Sequence, residues 1–196
     1  MDIHQKIADI ISYLLSPTTI GFYVIVLFLL FSEKTKQMDP LVLPMILAIG
    51  LIFLCIVPVV GILYFTKIGT IDIWVSERRT RPPFYLIAIV GYLIASILFY
   101  SINAHDFFVL SVAYCGVTIT VLLVNFKTKI SSHSAGLTGP FTAVLFVLGP
   151  LALFLFIFLP FVIWARLHLK AHTFSQLILG SIIGSLITSA TYLVLY

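Results

Sequence analysis

The chain has 196 residues, of which 61% are hydrophobic and only 9% charged. A soluble domain carries about 25% charged residues, so this composition excludes a water-filled surface of ordinary kind and describes a polytopic membrane protein. The net charge of +4 is small. No basic run with interleaved aromatics offers a nucleic-acid surface, so no nucleic acid is expected as a partner.

Taken in order, residues 2–15 read as a short amphipathic helix lying in the membrane interface. Ile3, Ile7, Ile10, Ile11 and Leu14 share one side, with Gln5, Lys6 and Asp9 elsewhere. Asp2 and His4 open the chain and the first long apolar run starts late, so no cleavable signal peptide is expected. Pro17 precedes a first span over residues 18–32. The charged connector 33–40 leads to a second span over residues 41–65, long enough to cross a hydrocarbon core of roughly 30 Å.

Residues 67–83, KIGTIDIWVSERRTRPP, form the first polar cluster. Arg78, Arg79 and Arg81 crowd together, with Asp72 and Glu77 nearby. Such a loop satisfies the positive-inside bias, and it also supplies planar forks of donors suited to phosphate oxygens. Residues 84–100 and 107–126 read as a hairpin of two spans. The second cluster, KTKISSHSAGLTG over residues 127–139, places Ser131 or Ser132 to cap a helix starting near His133. Free backbone N–H groups at that start make an anion site.

Residues 133–166 pass as one span or as two short helices, 134–148 and 151–167, broken at Gly149-Pro150. Two helices return the chain to the same side and bring all three polar clusters to one face, and this is the expected topology. The third cluster runs from Trp164 to Gln176 and carries Arg166, His168, Lys170 and His172. Cations at the edge of a span either snorkel to water or serve a site. The last span covers residues 174–196, where Gly180 and Gly184 form a small-residue face for close helix contact. The expectation is therefore an all-α integral membrane helix bundle of one domain, 1–196. It has about seven spans, with six as the alternative, besides the interfacial N-terminal helix. Cys55 and Cys115 lie in apolar runs without metal-ligand spacing and read as small buried residues.

Arg81-Pro82, then Ile130-Ser131-Ser132-His133, then Ala165-Arg166 with His172 and Gln176 at fixed distances beyond, resemble in order the three motifs of the type 2 phosphatidic acid phosphatase superfamily. The resemblance covers residues 67–184 and includes both histidines and both arginines. It implies a hydrolase of phosphoric monoesters or diphosphates acting on a lipid phosphate, in a multi-pass protein of a prokaryotic cell membrane. His172 would be the nucleophile, giving a phosphohistidine, and His133 would protonate the leaving oxygen. Arg81, Arg166, Ser131, Ser132 and Arg78 would hold phosphoryl oxygens, with no metal or other cofactor. Departures accompany the likeness. Trp74 stands where the first motif has lysine, which Lys67 or Arg78 could replace. Ile130, Ser132 and Ala165 replace Pro, Gly and Ser. Gln176 replaces the aspartate that orients the nucleophile, and its amide can accept a hydrogen bond but cannot stabilise imidazolium as a charge would. His168 reads as structural or interfacial, and Lys127, Lys129 and Lys170 as contacts for lipid head groups.

Overall fold

Apolar side chains occur all round most of the helices, because each has lipid on one side and protein on the other. The computed structural model describes residues 2–196. The described residues form helices and connecting turns with no strand. α1 (Ile3–Leu14) is joined through Ser16, which caps the next helix by accepting from Thr19 N, to α2 (Pro17–Phe31) at a bend of 47°. After the short α3 (Glu33–Lys36), one rod runs from Pro40 to Lys67 through α4 (Leu43–Ile49), a π-helical stretch at Gly50–Ile56, and α5 (Val57–Lys67). Pro58 explains the π stretch: it has no N–H to donate and its ring would collide with the carbonyl four residues back, so a wider turn takes up the mismatch.

α6 (Pro82–Ser101) and α7 (His105–Lys127) make the expected hairpin, turning at Asn103, whose φ is +56°. α8 (Ser132–Leu148) ends at Gly149, where φ is +87° and a residue without Cβ is needed. A 3₁₀ segment, Pro150–Phe158, then continues into α9 (Leu159–His168), and α10 (Phe174–Leu195) closes the chain. The break at Gly149-Pro150 therefore makes two helices of residues 132–168, as the sequence led us to expect.

Five helical segments are long and apolar enough to cross a membrane, and the bent pair α1–α2 makes a sixth if it counts as one span. α8 is apolar but has 17 residues, about 25 Å at 1.5 Å per residue, which falls short of a full crossing. Among the five long segments α7 is the most enclosed. Phe107, Leu110 and Ala113 pack with Phe28 of α2, Phe99 of α6 and Leu137 of α8 in the largest apolar cluster. Side chains such as Ile97, Leu123 and Leu186 point outward.

α8 and α10 approach more closely than ordinary side chains allow. A Cβ on Gly180 would lie 2.5 Å from the Ser131 carbonyl oxygen, and one on Gly184 would meet the Ala135 carbonyl oxygen at 2.5 Å and the Thr138 hydroxyl. This is the expected small-residue face, and its consequence is positional: the start of α8 is pressed against the start of α10. Ser131 N donates to the Gln176 carbonyl oxygen at 3.3 Å. At the other end of the bundle Asp106, buried, accepts from the Ser32 and Thr35 hydroxyls and ties α3 to α7. Lys34 lies 3.5 Å over the Tyr196 ring at that same end. α1 packs along α9, with Ala8 and Ser12 buried and Ile3, Ile7 and Ile10 exposed.

Candidate active site

The loop between α5 and α6 holds Arg81 in place. Asp72 accepts from Trp74 N and Ser76 N, each at 2.9 Å, and so winds residues 72–76 into a tight turn. Val75 within it takes φ +45°, a strained conformation for a β-branched residue. The strain has a product: the Val75 carbonyl oxygen faces Arg81 and accepts from its Nε at 2.9 Å. Arg81 Nη1 donates to the Ile130 carbonyl oxygen at 3.0 Å, which links the first cluster to the second.

The end of α9 places the third cluster. Ala171 N donates to Arg166 O at 3.0 Å and Lys170 N to Leu167 O at 2.9 Å, with Lys170 at φ +51°. That pair is the Schellman arrangement, and it folds the chain back so that His172 returns toward Arg166. Thr173 then caps α10 in a capping box with Gln176. The Gln176 Oε1 accepts from Thr173 N at 3.2 Å and lies 3.2 Å from His172 Nδ1. An oxygen that accepts from a backbone N–H can only accept from the imidazole as well. Nδ1 is therefore the protonated nitrogen, and the lone pair sits on Nε2.

These elements converge. A cavity of about 510 Å³ has Arg81, Ser132, His133, Arg166 and His172 in its wall, together with Trp74. His133, on the first turn of α8, meets the Trp74 ring edge-on at 5.6 Å and keeps an enclosed Nε2 with no partner. Arg166 is 2% exposed and Arg81 5%. Arg166 stacks 4.9 Å from the Trp74 ring, donates through Nη1 to Ser12 Oγ at 3.4 Å, and has a buried Nε without a partner. Neither guanidinium touches a carboxylate: the only ion pair among the described residues is Lys36–Glu33, exposed. A buried cation without a counter-charge costs several kcal/mol, so two in one cavity make a strong demand for an anion. The same charge acts on His172. Burial first, then Arg81, Arg166 and Lys129, push its imidazolium down to about 3.

No family model, curated protein or solved structure matches this chain.

Not every residue singled out from sequence lines the cavity. Ser131 is wholly buried and caps α8, its hydroxyl accepting from Ser134 N at 3.2 Å; its own N–H is spent on Gln176. Ser132, beside it, does line the cavity and shares a 2.8 Å hydrogen bond with Tyr85 OH. Arg78 points away, donating to the Phe126 carbonyl oxygen at 3.2 Å, while Asn125 donates to the Arg78 carbonyl oxygen at 3.1 Å. Together these contacts fasten the loop to the end of α7. Lys67 is exposed on α5. Trp74, marked in sequence only as a departure, is central: its ring touches Tyr13, His133 and Arg166. Ser12 and Tyr13, from the helix read as merely interfacial, are also part of the site. Lys129 comes close enough for the two arginines, after burial, to lower its own pKa.

Proposed function

We propose that this protein is a metal-independent membrane phosphatase of the kind it resembles, the type 2 phosphatidic acid phosphatase superfamily, removing phosphate from a lipid phosphate or diphosphate. One observation carries the reading: two buried guanidinium groups without carboxylate partners share one cavity with two imidazoles, one of which presents a free Nε2. In this reading the α8 segment counts as a seventh crossing, its shortness made up by local thinning of the bilayer, and α1 lies in the interface over the site.

The chemistry follows from the groups present. Arg81 and Arg166 draw the phosphoryl oxygens between them and stabilise the charge that spreads over them in the transition state. His172 Nε2 attacks phosphorus; a P–N bond forms as the P–O bond to the lipid breaks. His133 gives a proton to the departing oxygen. The phosphate's own negative charge is what lets an imidazole among guanidinium groups carry that proton. A water, deprotonated by the now neutral His133, then attacks the phosphohistidine and releases inorganic phosphate, returning both histidines to their starting forms. Gln176 keeps His172 in the reactive tautomer without adding charge.

A second reading is favoured by Trp74. An indole lying on Arg166 takes the place of a cation, as would suit a protein that binds a lipid phosphate, or moves it, without turning it over. A phosphotransferase using the same histidine is the remaining variant. The test is phosphate release by the purified protein, with chelator present, from phosphatidate, phosphatidylglycerophosphate and polyprenyl diphosphate. We expect release from at least one and its loss in His172→Ala. Release that survives this substitution would reject His172 as nucleophile, and binding without release across the panel would favour the silent binder.

A further inference from the structure

The cavity does not stop at the phosphate-sized end. Beyond Tyr85 it continues along α6 and α7, lined by Ala88, Tyr92, Leu110, Ala113, Tyr114 and Val117, most of them buried in the middle of the bundle. From Val121 to Leu110 it follows α7 for roughly 16 Å at 1.5 Å per residue, about half of a hydrocarbon core of roughly 30 Å. At about 30 Å³ for each water-sized group, 510 Å³ holds roughly 17 such groups. After the phosphate has taken its share, space remains for a single hydrocarbon chain of about a dozen carbons and not for two.

The cavity also has a side door. One flank is Pro17, Thr18 and Thr19 at the start of α2; the other is Pro58, Val59, Ile62 and Leu63 on α5. α2 packs on the π-helical stretch Gly50–Ile56, whereas α5, beyond it, packs on α6. The two walls thus diverge above the π stretch, and Leu63, part of the cavity wall, is 53% exposed on the surface that faces lipid. The polar end is covered by Trp74 and Tyr13, whose rings are 4.6 Å apart.

We infer that the site selects a lipid phosphate with one chain, which enters sideways between α2 and α5 and lies inside the bundle while its phosphate meets Arg81 and Arg166. This rests on the phosphatase reading for its head group and adds the tail. An apolar interior joined to a cationic end has no use for a soluble phosphate ester, and a two-chain lipid would have to leave one chain outside the pocket that aligns the other.

The test measures binding by heat, so that it does not depend on turnover. The full chain in lipid nanodiscs is titrated with butyl, octyl, dodecyl and hexadecyl phosphate and with a didodecyl phosphatidate. The same titrations are run on Ala113→Phe, which fills the inner part of the cavity, and on Ala88→Phe as a second filler should the first fail to fold. Partition into the bilayer is common to all of them, so the readout is the ratio of wild-type to filled affinity. We expect that ratio to stay near 1 for butyl phosphate, to rise to tenfold or more by dodecyl phosphate and then to level off, and to be near 1 for the two-chain lipid. A ratio near 1 at every chain length, or two-chain binding as tight and as sensitive to filling as single-chain binding, would overturn the inference. Length-dependent binding with no phosphate released would instead count against the phosphatase reading and leave chain selection standing.

Discussion

His172 is held by three constraints at once: Gln176 fixes its tautomer, burial and then two guanidinium groups oppose its protonation, and the turn at Lys170 brings it back over the site. The second constraint gives a pH signature. The imidazole of an unfolded chain takes up a proton near 6.5, whereas His172 in the folded protein does so only at about 3. Between these values the unfolded state binds the extra proton, so the contribution of His172 to stability is present above 6.5 and fades as the pH falls toward 3. Thermal unfolding of the detergent-solubilised protein should therefore show a smaller loss of Tm between pH 6.5 and 4 in His172→Gln than in wild type. Equal losses in the two would contradict the assignment. The same residue scale shows where sequence reading ends. The motif spacing made His133, His172, Arg81 and Arg166 legible together. That Trp74 would stack on Arg166, or that Ser12 would accept from it across 154 positions, has no local signal, because such contacts are fixed by how helices pack and not by any period along the chain.

At the scale of elements, the α8–α10 contact sets the distance between the two histidine-bearing segments. Gly180 and Gly184 were readable as a close-packing face, and the contact they make is tighter than the spacing alone could say: a Cβ at either would collide with backbone on α8. Gly184→Val should cost about 1–3 kcal/mol by pushing the helices apart, and Gly116→Ala, whose added Cβ would meet only the Ile187 side chain at 3.1 Å, should cost much less. Chemical or SDS unfolding of the two variants checks the order; Gly184→Val as stable as wild type would mean that α8 and α10 do not need this approach. The N-terminal helix taught the opposite lesson. Its amphipathic pattern gave the helix but not its partner, and α9, which buries Ala8 and Ser12, could not be inferred from a pattern that lipid would satisfy equally well.

For the whole molecule, the alternation of helices puts the loop 68–81 and the starts of α2, α8 and α10 at one end, with α3, Asn103, Gly149 and Tyr196 at the other. Lys6, Lys67, Arg78, Arg79, Lys127, Lys129 and Lys170 lie at the site end, and Lys34 and Lys36 at the far end. With the buried arginines left out, the positive-inside bias predicts that the site end faces the cytoplasm. In intact cells an impermeant maleimide should label Ser101→Cys from outside and Ser175→Cys only after lysis; the reverse pattern would turn the protein over. The long apolar runs made a helix bundle legible from the outset, while the number of crossings was not, because α8 is shorter than the bilayer it would span. Phosphoryl transfer to His172 in the pocket can be caught by rapid alkaline quench of the protein with a phosphate-labelled lipid substrate, followed by peptide mapping. Acid-labile phosphate is expected on His172, at up to one per chain and absent from His172→Ala; label on another residue, or turnover with no labelled histidine at any time, would rule out His172 as the nucleophile.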